Sequence, residues 1–166
     1  LLPLLLGFDF WSKSATRELG LGEQVPILDG WLALTHAENP SIAFSLPVPF
    51  WVIVGFGVVA LAVMAQQLWA LRPQARMQAA GLAAMAAGAL GNLIDRIADG
   101  TVTDMVMLYT DHPALSGWLK ATFGTATWPI FNVADVALLG GVTLFLAGTA
   151  SEPEEPPSIE AEAEAT

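Results

Sequence analysis

Four stretches of the chain are apolar enough to lie in a lipid bilayer. Three of them, at about residues 48–71, 77–97 and 130–150, reach the roughly 20 residues that cross the hydrocarbon core as a helix. The fourth, at residues 1–13, is shorter and opens on Leu-Leu-Pro-Leu-Leu-Leu. We interpret it as the end of a truncated first membrane helix rather than as a cleaved signal peptide, because no small-residue cleavage site follows it. The pattern predicts an all-α polytopic membrane protein with four transmembrane helices.

The segments between these stretches are more polar and contain signals for extended structure. A turn signal at residues 25–30 precedes a short alternating run at 31–35, which is typical of a strand. Residues 100–106 also favour an extended conformation. Trp118 and Trp128 suit the level of the lipid headgroups. We therefore expect a small β-rich platform lying on the membrane.

Positive charge predicts the orientation of the helices. The short loop at residues 72–76 contains two arginines and is the only tight cationic connection, so the positive-inside rule places it in the cytoplasm. Alternation then places residues 12–47 and 98–129 outside and both termini inside. Lys13 and Arg17 lie on the outer side against this rule, accompanied by two glutamates.

Composition excludes several classes of protein. Hydrophobic residues make up 54% of the 166 and charged residues only 13%, against about a quarter in soluble domains. The net charge of −10 is concentrated in residues 151–166, which hold six of sixteen acidic residues and are predicted to be a disordered tail after a membrane domain at 1–150. No basic surface for nucleic acid is present, and the absence of cysteine excludes disulfides and a thiol nucleophile. The two histidines are too far apart for a usual zinc site.

The candidate chemistry consists of carboxylates at the rims of the predicted helices. Charged groups in lipid are costly and usually have a use. The predicted topology places four of them on the same, outer side: Asp9, Asp95, Asp104 and Asp135.

Two aspartates that share one proton can activate water for peptide hydrolysis. Asp135 is one candidate, because it follows the start of a helix whose unpaired amides favour an anion. Its partner could be Asp95 or Asp104. Asp95 has Arg96 beside it, which is typical of a structural ion pair, so we favour Asp104.

Five short motifs resemble, in order, those of the lipoprotein signal peptidase family, also called signal peptidase II. Together they cover essentially the whole chain up to the acidic tail. They are Asp-x-x-Ser-Lys at residues 9–13, Asn-Pro-Ser-Ile-Ala-Phe at 39–44, Gly-Asn-x-x-Asp-Arg at 91–96, Gly-x-Val-x-Asp-Met at 100–105 and Phe-Asn-x-Ala-Asp at 131–135.

The resemblance implies that Asp104 and Asp135 form the catalytic pair. It also implies a set of supporting polar residues: Asp9, Lys13, Asn39, Asn92, Asp95, Arg96 and Asn132. The family cleaves lipid-modified prolipoproteins before the diacylglyceryl-cysteine, at the outer face of the bacterial cytoplasmic membrane. It uses no metal or cofactor, and globomycin inhibits it. Ser41 departs from the family's usual glycine, and Thr103 from a common valine.

Three other functions compete with this interpretation. Intramembrane carboxylates also mark proton-coupled transporters and channels, but here they gather on one side. A serine–lysine protease would need Ser12 and Lys13 to meet, and adjacent helical residues diverge by roughly 100°. A non-catalytic membrane scaffold would not need such polar clusters.

Overall fold

The computed structural model describes residues 1–40 and 48–151 and contains five helices and three strands in that part of the chain. Ser41, which departs from the family's usual glycine, and the acidic tail beyond Ser151 lie outside the described residues. The elements are, in chain order, α1 (Leu2–Thr16), β1 (Gln24–Leu28), β2 (Leu32–Asn39), α2 (Phe50–Ala70), α3 (Arg76–Asp99), β3 (Val102–Leu108), α4 (Pro113–Phe123) and α5 (Val133–Ala150).

Three helices of the described chain, α2, α3 and α5, are long and apolar enough to cross a membrane. They coincide with three of the four predicted spans and are candidate spans by length and composition. The predicted fourth span corresponds to α1, whose 15 residues are fewer than the roughly 20 that cross a bilayer, so this span stays a prediction. The fold is therefore helix-rich with three candidate spans, and α1 packs against α3 and α5.

Glycines allow α3 and α5 to pack with their backbones in close contact. A Cβ atom on Gly141 would lie 2.7 Å from the backbone oxygen of Gly81 and 2.6 Å from the side chain of Met85. A Cβ atom on Gly88 would overlap the backbone oxygen of Ala134. Small residues at such crossings are the usual means of helix association in membranes.

Gly141→Ala is expected to destabilise the protein, because its methyl group would push the two helices apart. Overpacking of this kind costs about 1–3 kcal/mol. The neighbouring Gly140 offers a matched control, since a Cβ there would meet nothing within 4 Å. Thermal unfolding in detergent should show a lower Tm for Gly141→Ala and no loss for Gly140→Ala. Equal melting temperatures for the two variants would contradict the close packing.

The predicted extended segments form a three-stranded antiparallel sheet in the order β1-β2-β3, which confirms the small β-rich part of the fold. The register of β2 and β3 shifts between the pairs Leu34–Val106 and Ala37–Asp104. Two residues of β2 therefore lie opposite one residue of β3, which is a β-bulge. Bulges re-aim neighbouring side chains, and this one lies directly beside Asp104.

Two elements differ from the sequence prediction. Helix α4 was not predicted, although Pro113 in its first turn and the left-handed Gly124 at its end are recognisable helix boundaries. The last span, predicted from residue 130, begins as a helix only at Val133, because Asn132 is in an extended conformation and caps it. Of the motif at residues 131–135, Asn132 is therefore the cap, and Asp135 lies in the first turn of the helix.

Candidate active site

The end of α3 and the start of α5 are brought together by β3. Gly100 ends α3 with a left-handed φ of 78°, and β3 begins two residues later. Val106 and Phe131 then exchange backbone hydrogen bonds of 2.8 and 3.2 Å. Because Phe131 immediately precedes the cap of α5, this pairing holds Asp104 beside the first turn of that helix.

Asn132 connects the two aspartates that the sequence singled out. Its backbone N–H donates to Asp135 Oδ2 at 3.1 Å, and its side-chain oxygen accepts from the Asp135 N–H at 3.0 Å, which forms a capping box. Its side-chain Nδ2 donates to Asp104 Oδ1 at 2.8 Å. Asn132 is 0% exposed, so both carboxyl groups are anchored on one fully buried residue.

Asp104 is buried and its carboxyl group is enclosed by amide donors. Besides the bond from Asn132, its Oδ2 accepts from Asn39 Nδ2 at 3.1 Å. Burial raises the pKa of Asp104 to about 6, the hydrogen bond from Asn39 opposes this rise, and the nearby charge of Asp135 adds to it. The Asp104 carboxyl can therefore hold a proton close to neutral pH.

Asn92 links Asp135 to a buried cation. Its Nδ2 donates to Asp135 Oδ1 at 2.9 Å, and its Oδ1 accepts from Asn132 Nδ2 at 3.0 Å and from Lys13 Nζ at 3.2 Å. The amide thus has partners on both sides, and its orientation is fixed by the donors around it.

Lys13 lies at the centre of a buried ion cluster. Its Nζ is 2.7 Å from Asp9 Oδ2 and 2.9 Å from Asp95 Oδ2. The other oxygen of Asp9 accepts from the Ala134 N–H at 3.0 Å, which ties α1 to the start of α5. The cluster therefore joins α1, α3 and α5, and Asn92 connects it to Asp135.

The ion pairs of Asp95 differ from the sequence-based expectation. Its cationic partners are Lys13 and Arg17, at 2.9 and 3.4 Å, and not Arg96, which follows it in the chain. Arg96 Nη1 instead donates to the Asn92 backbone oxygen at 3.2 Å. Its charge interacts electrostatically with Asp104 and Asp135 as well as with Asp95.

Two residues outside the predicted set also take part. Arg17 donates to the Thr103 hydroxyl at 3.0 Å, and the Thr103 N–H lies 3.4 Å from Asp95 Oδ2. Arg17 follows Lys13 by four residues and so shares its helix face, which is a signal that the sequence did contain. The Thr103 contact depends on how β3 returns past α3, and no local pattern indicates it.

The serine–lysine alternative does not match this geometry. Ser12 Oγ donates to the Asp9 backbone oxygen at 2.8 Å, one turn earlier in α1. Lys13 Nζ is held between two carboxylates. Ser12 and Lys13 therefore have different partners and do not meet as such a dyad requires.

The chain is similar in sequence to known proteins of one family. The sequence model of the family described as "Signal peptidase (SPase) II" matches residues 1–150. A lipoprotein signal peptidase of Geobacter sulfurreducens is 37% identical over 134 residues, covering 77% of this chain and 74% of that protein. One of Deinococcus radiodurans is 35% identical over 153 residues, covering 90% and 76%. These findings give no support to a transporter or channel.

A solved structure shows the same fold. The structure titled "Bacterial membrane enzyme structure by the in meso method at 2.3 A resolution" superposes with a TM-score of 0.71 at 22% identity, covering 93% of this chain and 90% of that chain. The arrangement of helices and sheet is therefore that of a known membrane enzyme.

Proposed function

The chain belongs to the signal peptidase II family, and from this premise we propose that it removes the signal peptide of lipid-modified prolipoproteins, cleaving before the diacylglyceryl-cysteine. In this proposal it is an aspartic endopeptidase whose catalytic groups are Asp104 and Asp135. The observation that carries the assignment is the double anchoring on Asn132, which donates from its side chain to Asp104 and from its backbone to Asp135.

The two aspartates act as a pair with one proton between them. Asp104, with its raised pKa, holds the proton and donates a hydrogen bond to the scissile carbonyl. Asp135, in the first turn of α5 where the helix dipole favours an anion, accepts a proton from the attacking water. The C–N bond then breaks as Asp104 gives its proton to the amine of the leaving fragment. The proton that Asp135 took from the water passes to Asp104 and restores the pair.

The other polar residues position this pair and the substrate. The side chains of Asn39, Asn92 and Asn132 orient the two carboxyl groups. Asp9, Lys13 and Asp95 form the buried ion cluster that fixes α1 and α3 against α5. Arg96, whose charge acts on both aspartates, is suited to contact a backbone carbonyl of the substrate.

The topology that fits this function has four spans in the bacterial cytoplasmic membrane. The arginines at 72 and 76 lie at the opposite end of α3 from Asn92 and Asp95. With those arginines in the cytoplasm, as the positive-inside rule requires, the aspartates lie at the outer face and both termini inside. The diacylglyceryl chains of the substrate would then lie in the bilayer. Globomycin-type inhibitors should bind at the aspartates.

A cleavage assay tests the function directly. The full chain in detergent or lipid is expected to shorten a diacylglyceryl-modified precursor by its signal peptide, and a precursor with an unmodified cysteine should remain uncut. EDTA is expected to leave the rate unchanged. Cleavage at another bond, or equal cleavage of both precursors, would contradict the assigned specificity.

The rate should depend on pH through the proton on Asp104. Because its raised pKa is about 6, kcat/KM is expected to fall about tenfold per pH unit well above that value, as the free enzyme loses the proton. Asn39→Ala removes a hydrogen bond that favours the ionised form, so the alkaline limb should move to higher pH. A profile of kcat/KM for both proteins measures this shift, and a limb that moves to lower pH would contradict it.

A further inference from the structure

An apolar groove of about 550 Å³ lies between α2 and α5, with α3 as its floor. Its walls include Phe56, Val63 and Gln67 of α2, Met85 of α3 and Phe145 of α5. Among the described residues that line it, Gln67 is the only polar one and none is charged. Helix α2 packs against α3, and none of its 21 residues is buried. The side of α2 that faces the groove is therefore available to a partner.

The α5 wall of the groove leads directly to Asp135. Residues spaced three, four and three apart lie along one side of a helix. That spacing connects Asp135, Leu138, Val142 and Phe145. Phe145 lines the groove, and the ten residues from Asp135 to Phe145 correspond to about 15 Å. Val142, between them, is 39% exposed, so this side of α5 stays open. Asp135 and the groove therefore share one face of α5.

The floor of the groove leads to the same point along α3. The same spacing, counted backwards, connects Asn92, Ala89, Met85 and Leu82. Met85 and Leu82 line the groove. Asn92 donates to Asp135 Oδ1 at 2.9 Å, so the two rows of residues meet at a hydrogen bond of the candidate active site. The groove is therefore an extension of that site along the apolar parts of α3 and α5.

The depth of the groove indicates its occupant. In the proposed topology α2 begins at the outer face with Phe50, and Gln67 lies 17 residues further, about 25 Å towards the cytoplasm. An acyl chain anchored at the outer face stays in the outer half of the hydrocarbon core, which is about 15 Å deep. A peptide helix that crosses the bilayer reaches the whole groove. The proposed substrate carries both groups, and the depth favours the helix.

We propose that the groove binds the apolar helix of the precursor's signal peptide, an inference that rests on the proposed function. The helix lies between α2 and α5, and the chain that follows it reaches Asp104 and Asp135. In a membrane such binding depends on side-chain packing, since lipid is as apolar as the helix. Phe56 and Val63, which are 77% and 49% exposed, are side chains that the bound helix covers.

Photo-crosslinking of the full chain in phospholipid vesicles identifies the occupant. A photoreactive side chain in place of Val63 is expected to attach to the signal peptide of a diacylglyceryl-modified precursor, and mass spectrometry of the adduct shows the attached segment. Val58 is the matched control, because it is also an exposed valine, at 53%, but lies five residues earlier and about 140° away around α2. From that position only phospholipid should be attached.

The same two positions test the effect on cleavage. Val63→Trp fills the groove and is expected to raise KM for the precursor about tenfold, because the signal helix loses its place. Val58→Trp should leave KM unchanged. A precursor shortened to the few residues before its lipid-modified cysteine has no signal helix, so its KM should be the same for the wild-type chain and for Val63→Trp.

Three results would overturn the inference while the wild-type chain still cleaves the precursor. They are adducts from position 63 that contain only acyl chains or phospholipid, equal KM values for Val63→Trp and Val58→Trp, and an equal rise in KM for the shortened precursor. Failure of the proposed function looks different, because the signal peptide is then attached at position 63 while no precursor is cut. A precursor that is neither attached nor cut overturns both.

Discussion

Asp104→Asn and Asp135→Asn are each expected to reduce cleavage of the lipid-modified precursor by a factor of about 10²–10⁴, since each removes one partner of the proton-sharing pair. Both oxygens of Asp104 accept from amide donors, and so do both oxygens of Asp135. An Asn side chain would turn its NH₂ towards one of those donors. A drop in Tm is therefore expected beside the loss of rate, and both must be measured on the same preparation.

The matched control is Asp29→Asn, which makes the same chemical change at an exposed position in the turn between β1 and β2. It should leave rate and melting temperature unchanged. Full turnover by either dyad variant would rule out the assigned chemistry.

Asp95→Asn tests whether Asp95 or Asp104 is the catalytic partner of Asp135, a choice that the sequence left open. Asp95 pairs with Lys13 and Arg17, so Asp95→Asn should lower the Tm clearly. The rate of the chemical step should fall much less than in the Asp104 and Asp135 variants. A variant of Asp95 that folds and binds precursor without cutting it would transfer the catalytic assignment from Asp104 to Asp95.

The helices and the polar motifs could be predicted because their signals are local. A run of apolar residues near 20 long defines α2 and α5 without reference to the rest of the chain. Asn92 and Asp95, three residues apart, share a helix face wherever α3 packs. The strand that holds Asp104 follows a glycine whose positive φ ends α3, and the sequence already indicated an extended return there.

The connections between these motifs could not be predicted, because they depend on neighbours in space. The sequence placed Arg96 beside Asp95, whereas the fold brings Lys13 from α1 to that carboxylate. It also gave no sign that the side chain of Asn132 would reach Asp104, 28 residues away, while its backbone holds Asp135. The contact of Asn132 with Asp104 depends on the pairing of β3 with Phe131, and that of Lys13 with Asp95 depends on the packing of α1 against α3.

Lys13→Met is expected to destabilise the protein by about 3–5 kcal/mol, the usual cost of leaving buried charges without their partner. Asp9 and Lys13 are each 1% exposed and Asp95 is 4% exposed, so water cannot replace the lost ammonium group. The three helices that meet at this cluster should separate more easily. Equilibrium unfolding in detergent, followed by circular dichroism, measures the change.

Arg17→Gln is the control that shows whether the loss of stability in Lys13→Met comes from the burial of the ion pair or from the charge alone. Its side chain is 43% exposed while it pairs with Asp95 and Asp99, and exposed pairs contribute about 0–1 kcal/mol. If Arg17→Gln lowers the free energy of unfolding as much as Lys13→Met does, burial is not the reason that the ion cluster stabilises the protein. The double variant Asp9→Asn with Lys13→Met should recover part of the loss, because Asp9 loses its ion-pair partner in Lys13→Met and is neutral in the double variant, whereas Asp95 keeps Arg17. Additive losses in that double variant would show that Asp9 and Lys13 do not act as a pair.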